Sequence, residues 1–185
     1  MIIFDLDETL ADCEHRRHFV DPTKLPNYFL TGYDGKGEII EQKGFYWNID
    51  DRTQFIPDWK AFYEACDKDK PIKATIEILR ALSYDDLYEK HIEIWSGRCE
   101  SVRVKTEKWL WDNVIPYSDL KMRPIGNSTP DDELKERWLD ELCEESKWGR
   151  KNPIEYVFDS NKKSILMWKR RGVFIFDVNQ TEKEF

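Results

Sequence analysis

From Pro71 onward the chain alternates between segments with a helical hydrophobic repeat and short apolar runs that end in an acid or in Ser-Gly. No other feature narrows the fold as much. Residues 72–82 put Ile72, Ile76, Leu79 and Leu82 on one helical face, with Pro71 at the start. HIEIW at 91–95 reads as a short strand ended by Ser96-Gly97. A helix over about 100–112 follows, with Val102, Thr106, Trp109 and Leu110 inward, and then a strand from Asp119 to Met122. The segment STPDDELKERWLDEL predicts a helix with Thr129 as cap, Pro130 at its first position, and Asp131 and Asp132 at the positive end of its dipole. IEYVF at 154–158 is a strand, 161–171 a helix with Ile165 and Trp168 inward and Gly172 as its stop, and VFIFDV at 173–178 the last strand. With MIIFD as the first, five strands joined mostly by helices predict an α/β, Rossmann-like fold. Its central sheet is mostly parallel, and its ligand site lies at the carboxyl ends of the strands.

Residues 11–65 break this rhythm. They hold 11 of the 26 aromatic residues and four of the eight glycines, too rich in large side chains for a linker and too long for a structureless loop in a compact domain. They read as a cap-like insert within a single domain of 185 residues, with TGYDGKGE at 31–38 as a loop tip. Asn48 to Arg52 reads as a turn inside it. The runs at 45–47 and 59–63 can supply base-stacking rings or core.

The predicted topology gathers four features at one edge. They are Asp5-Leu6-Asp7-Glu8-Thr9 after the first strand, Ser96-Gly97-Arg98 after the second, Lys135 in the helix after the third, and Asp159 at the end of the fourth. Two acids at i and i+2 leaving a strand suit phosphoryl transfer: Asp5 can attack phosphorus, while Asp7 protonates the leaving oxygen and later deprotonates water. Attack by a carboxylate on a phosphate dianion requires neutralised charge. A magnesium ion held by Asp5, Asp7 through its carbonyl, and Asp159 would provide it, with Lys135 and Ser96 binding the transferring oxygens. Ser96 can equally stop its strand and cap the next helix, whose N-terminus would itself favour a phosphate oxygen. Arg98 can take phosphate in a bidentate contact or form a buried ion pair. Thr9, Gly97, Arg123 and His15, the last within a basic run to His18, complete the candidate substrate-binding set.

The ordered set DxDxT, Ser, Lys and terminal Asp resembles the haloacid dehalogenase (HAD) superfamily of aspartate-nucleophile phosphatases. Within it, IWSGR at 94–98, KTEKWL at 105–110, LKMRP at 120–124, DDELKERW at 131–138 and VFDSNKKSILMWKRRGV at 157–173 are similar to the 3'-phosphatase domain of bacteriophage polynucleotide kinase/phosphatase and its stand-alone phage relatives. The resemblance covers about 1–15 and 58–178. It implies a magnesium-dependent phosphomonoesterase acting on nucleic-acid 3' ends or nucleotides. The chain departs from that pattern at Glu8, where the branch more often has Gly, at Ser160, where a second Asp is usual, and in its long aromatic insert.

The formal net charge of −8, from 29 Lys+Arg against 37 Asp+Glu, disfavours a protein that coats long nucleic acid or an anionic membrane, yet permits contact with one terminal phosphate. Cys13, Cys66, Cys99 and Cys143 show neither metal-ligand nor disulfide spacing, which suits reduced thiols in a cytoplasm, the host's if the gene is a phage's. No apolar run approaches the roughly 18 residues of a membrane span. The expected partner is a nucleotide or a terminal phosphate, and no oligomeric state is implied. Alternative functions are a 5'/3' mononucleotidase, a phosphoprotein phosphatase suggested by DLDETL, and a non-catalytic phosphate-binding module suggested by Ser160. Absence of a P-loop GxxxxGK[ST] excludes a kinase of that class within these residues.

Overall fold

The computed structural model describes residues 1–21, 24, 45–48, 52–55, 57–84, 90–145 and 153–179, with the backbone alone at 45–48 and 52–55. Two compact units emerge, one of Met1–Asp12 with Lys70–Phe185, the other Cys13–Asp69.

The first unit is built on a five-stranded sheet. Its strands are β1 (Ile2–Asp5), β6 (Ile92–Cys99), β7 (Asp119–Arg123), β8 (Tyr156–Asp159) and β9 (Phe174–Asp177), ordered β7-β6-β1-β8-β9 and parallel at every pairing. Helices α2 (Lys73–Ser83), α3 (Arg103–Asp112), α4 (Asp131–Glu145) and α5 (Lys162–Arg170) make the crossovers. A two-stranded pair, β2 (Ala11–Asp12) and β5 (Lys70–Pro71), closes the unit where the second unit is inserted. No described helix is long and apolar enough to cross a membrane, and Cys13, Cys66, Cys99 and Cys143 form no disulfide.

Alternation along the strands divides the sheet into two faces. Ile3, Trp95 and Val157 join Leu134, Trp138 and Leu139 of α4 and Met167 and Trp168 of α5 in one buried cluster. Trp95 meets Trp138 edge to face, with ring centroids 5.7 Å apart, and lies 5.8 Å from Trp168. On the other face Phe4 stacks on Phe158 and Phe158 on Phe176, at 4.4 and 4.6 Å.

The element ends follow local chemistry. Three acids, Asp131, Asp132 and Glu133, open α4, whose first carbonyl acceptor is Pro130 O, bonded by Leu134 N at 2.9 Å. The helix thus begins one residue later than its sequence suggests. Asn161 caps α5, its side chain accepting from Lys163 N and Ser164 N. Gly172 ends that helix at φ 70°, a left-handed conformation that costs glycine little.

Two sequence expectations need correction. The strand expected at 91–95 runs on to Cys99, taking in Ser96, Gly97 and Arg98, because β7 continues beside it: Ser96 pairs with Met122 and Cys99 with Arg123 across a register shift. A 3-10 turn, Glu100–Val102, then precedes α3, so Ser96 caps no helix and sits at no helix N-terminus.

The second unit contains a 3-10 helix (Glu14–Phe19), the antiparallel pair β3 (Phe45–Asn48) and β4 (Arg52–Phe55), and α1 (Trp59–Glu64) capped by Asp58, which accepts from Ala61 N at 2.9 Å. The expected loop tip at 31–38 lies outside the described residues. So do 49–51, the centre of the expected turn, although Asn48 and Arg52 on either side are paired. Arg16 is fully buried here. It makes two 2.8 Å bonds to Asp69, donates to the Phe62 carbonyl at 3.2 Å and lies 4.1 Å from the Phe62 ring centroid.

Candidate active site

Asp5 is the last residue of β1, held in register beside Trp95 of β6, and the chain then reverses in a tight turn. Leu6 O accepts from Leu10 N and Ala11 N, and Glu8 N donates to Ala11 O at 2.7 Å. Glu8 takes φ 61° to complete this turn, which explains physically why glycine suits the position.

Asp5, Lys135 and Asp159 converge at the carboxyl edge of the sheet, from β1, α4 and β8. Lys135 Nζ donates to Asp5 Oδ1 at 2.8 Å and to Asp159 Oδ2 at 2.9 Å, and all three residues are buried. Thr9 Oγ1 donates to the second oxygen of Asp5 at 3.2 Å. Asp159 Oδ1 accepts from Asn161 N at 2.9 Å, and Oδ2 also accepts the indole N–H of Trp168 at 3.2 Å. Every one of these donors favours a charged carboxylate or fixes its orientation.

The trio gathers two carboxyls and one ammonium out of water. Burial pushes the Asp5 carboxyl up to about 8, opposed by Lys135 and reinforced by Asp159 and Asp131. Burial also pulls on Lys135, but Asp159, Asp5 and Asp131 outweigh it and hold the ammonium above its ordinary value. Only when both carboxyls are ionised is the cluster one positive charge short.

Asp7 and Arg98 form the second element. Arg98, fully buried, donates through Nε and Nη2 to Asp7 Oδ1 at 2.8 and 2.5 Å, and its backbone N–H bonds Ser96 Oγ at 3.1 Å. Ser160 Oγ donates to the Asp7 carbonyl at 3.4 Å, so the turn after β8 meets the turn after β1.

Arg123 is a brace. Its Nε donates to Gly97 O at 2.8 Å, Nη1 to Thr129 O and Nη2 to Asp131 Oδ1, tying β6, the β7–α4 loop and the start of α4 together. Gly97 lies so near Asp131 that a Cβ would stand 2.2 Å from Oδ1. His15 belongs to the second unit, where its Nε2 lies 2.8 Å from Asp69 Oδ1.

Sequence reasoning passed over three contributors. Asp131 was legible only as a dipole partner, although its place four residues before Lys135 puts both on one helical face. Trp168 reads as core and is core, yet it also donates to Asp159. Asn161 caps α5, and its backbone N–H also bonds Asp159.

The residues suit a divalent cation. The donors at hand are the carboxyls of Asp5 and Asp159 and the carbonyl of Asp7, all hard oxygens, and with both carboxyls ionised the buried trio is one positive charge short. Among the described residues no group of three or more His, Cys, Asp or Glu side chains could hold a metal, so an ion here would use two carboxylates and complete its shell with carbonyl and water.

The chain matches the family model described as the polynucleotide kinase PNKP phosphatase domain of the HAD class over residues 60–183. Its fold is similar to a chain of the solved Pnkp1/Rnl/Hen1 complex, with TM-score 0.59 and 22% identity over 98% of this chain and 46% of that one. A chain of the Pnkp1/Rnl/Hen1 RNA repair complex is similar at TM-score 0.58 and 20% identity, over 96% and 42%. This chain thus spans less than half the length of either. No curated protein matches it.

Proposed function

The chain belongs to the family of HAD-type PNKP phosphatase domains, and from that membership and the acid cluster we propose that it removes a phosphate from nucleic-acid ends, with the 3' end as the preferred site. The observation that carries the proposal is the Asp5–Lys135–Asp159 trio at the carboxyl edge of the parallel sheet, with Asp7 two residues beyond Asp5.

In the proposed reaction an Asp5 oxygen attacks phosphorus and the bond from phosphorus to the ester oxygen breaks. The Asp7 carboxyl gives its proton to that oxygen, releasing the hydroxyl end. A water then attacks the aspartyl phosphate and gives its proton to Asp7, and the acyl–phosphate bond breaks to restore Asp5 and release inorganic phosphate. Thr9 and Lys135 fix the orientation of Asp5, and Lys135 also faces the charge that builds on the transferring oxygens. A bound phosphate competes for Arg98, and drawing that guanidinium away removes a cation from Asp7 at the point where Asp7 must hold a proton. A magnesium ion on Asp5, Asp159 and the Asp7 carbonyl would supply charge neutralisation for the phosphoryl oxygens.

The second unit, entered directly from the turn that carries Asp5 and Asp7, is proposed as the cap in which substrate choice resides. Phosphate release from 3'-phosphorylated oligonucleotides, 3'- and 5'-mononucleotides, phosphopeptides and an aryl phosphate, measured side by side with magnesium, tests the reading. Oligonucleotide ends should be the best substrates, and Asp5→Asn should remove turnover on all of them. Preference for mononucleotides or phosphopeptides would overturn the substrate, and an active Asp5→Asn the mechanism.

A further inference from the structure

Ser164 carries a hydroxyl for which the protein provides no partner. The residue is fully buried in the first turn of α5, and its Oγ has no hydrogen-bond partner among the described residues. A polar atom taken out of water and left unpaired is costly, and alanine at the same position would avoid the cost and favour the helix as well. A serine within a helix can bond the carbonyl four residues back, yet Ser164 does not use Ser160 O in this way. The hydroxyl is therefore placed for a group that the protein itself does not supply.

The surroundings of Ser164 belong to the acid cluster. It lies four residues before Trp168, on the same face of α5 and one turn nearer the carboxyl edge of the sheet, where β8 ends and the helix begins. Trp168 on that face donates to Asp159 Oδ2 at 3.2 Å. The backbone N–H of Ser164 bonds Asn161 Oδ1 at 3.2 Å, and Asn161 N bonds Asp159 Oδ1 at 2.9 Å. Ser164 is thus tied to Asp159 twice, through the helix cap before it and through the turn of helix after it. Just ahead in the chain, Ser160 Oγ meets the Asp7 carbonyl.

A small hard cation on Asp5, Asp159 and the Asp7 carbonyl would keep part of its water, since two carboxyls and one carbonyl do not fill a six-fold shell. Such water is a strong donor and needs an acceptor where bulk solvent is excluded. We propose that Ser164 Oγ accepts from a water of that shell. Ser164 is then a positioning residue for the ion, and its hydroxyl supplies hold that the short set of carboxyls lacks. The inference rests on the metal reading of the acid cluster and adds to it a residue that touches neither ion nor phosphate.

Thermal melts of the full chain without substrate, from chelator alone to about 20 mM magnesium, test this, because a ligand that binds only the folded state raises the melting temperature by an amount set by its affinity. Wild type should show such a rise, and Asp159→Asn should lose it. Ser164→Ala should melt in chelator at or above the wild-type temperature, since the unpaired hydroxyl is gone. It should nevertheless need about 10-fold more magnesium for the same rise, the low end of the effect of removing an outer partner of a metal site. Calorimetric titration with magnesium alone should give the same ratio of dissociation constants. A Ser164→Ala protein that needs no more magnesium than wild type would overturn the proposal and leave the metal reading standing. Loss of stability in chelator with an unchanged magnesium requirement would overturn it too, and assign Oγ to a structural water. A wild type indifferent to magnesium, or an Asp159→Asn protein that responds normally, would overturn the metal reading and this proposal with it.

Discussion

Trp168 donates its indole N–H to Asp159 Oδ2 at 3.2 Å, on the same oxygen that accepts from Lys135. The ring is fully buried between Trp95 and the rest of the α4–α5 core, so the position of Asp159 is referred to the packing of the whole face. Trp168→Phe keeps most of the apolar volume and removes the donor. Stability should fall by about 1–2 kcal/mol in urea unfolding, for the lost bond and the smaller ring. If Asp159 acts as proposed, the magnesium concentration for half-maximal activity should rise about 10-fold or more, as when outer-shell partners of metal ligands are removed. A variant that loses stability with no change in magnesium requirement would leave Trp168 as packing alone.

Lys135 bridges the two buried carboxyls, 2.8 Å from one and 2.9 Å from the other. Removing it leaves two buried carboxyls without their ammonium partner. Lys135→Met should cost about 3–5 kcal/mol of stability at neutral pH, the range for breaking a buried pair from one side. Adding Asp159→Asn to it should recover part of that loss, because one of the two carboxyls left without a partner is then gone. Denaturant melts of the two variants and of Asp159→Asn alone complete the cycle.

The raised Asp5 carboxyl predicts how the metal-free protein responds to pH. In the unfolded chain it titrates near 3.8 and in the folded protein near 8, pushed up by burial, so between these values the folded state holds a proton the unfolded state has lost. Its stabilising contribution is complete below about pH 4 and is lost as pH rises through 8. Lys135, held above its ordinary value, stays charged across this window and does not offset the trend. Thermal melts in a chelator should therefore show a decline from pH 4 to 8 that is flatter in Asp5→Asn. Equal slopes in the two proteins would refute the assignment to Asp5.

The sheet was legible because each strand is a short apolar run bounded by an acid, a glycine or a helical repeat, and such patterns depend only on neighbours in sequence. The positions of Asp5, Lys135 and Asp159 followed from parallel topology, which carries strand ends to one edge whatever the side chains do there. What stayed hidden depends on contacts between distant elements. The extension of β6 to Cys99 requires β7 as its neighbour, and the pairing of Arg123 with Asp131 requires the loop between them to fold back. Arg16 read as one of a run of four basic residues, yet it is buried on Asp69, a partner 53 positions away. Local pattern reports elements, and long-range charge pairing reports where they meet.

Among the described residues two non-glycine positions have positive φ, Glu8 at 61° and Val114 at 51°. Val114 follows the last turn of α3, where Ile115 N bonds Leu110 O at 3.0 Å, the six-to-one bond of a helix stop that glycine usually occupies. A β-branched side chain is poorly suited to that conformation. Val114→Gly should raise stability by about 1 kcal/mol, since Val114 is 69% exposed and surrenders little burial. Glu8→Gly should gain a similar amount from the same cause. Chemical denaturation reads both, and a loss of stability in Val114→Gly would mean that its side chain holds the loop in a way its exposure does not suggest.

Gly97 stands where β6, β7 and α4 are braced together, and no side chain fits there. A Cβ would come within 2.2 Å of Asp131 Oδ1 and 2.8 Å of its Cγ, and Asp131 cannot turn aside without releasing Arg123. Gly97→Ala should therefore cost about 1–3 kcal/mol, the usual range for an overpacked site, and should disturb Arg123, which also bonds the Gly97 carbonyl. Asp131→Ala loses the same ion pair without a clash. In the double variant the alanine at 97 has nothing to strike, so its effect should be much smaller than in the wild-type background. A coupling energy of at least about 1 kcal/mol is expected from this cycle. Additive effects would show that the strand shifts to accommodate the methyl group and that the brace does not depend on the close approach of Gly97 to Asp131.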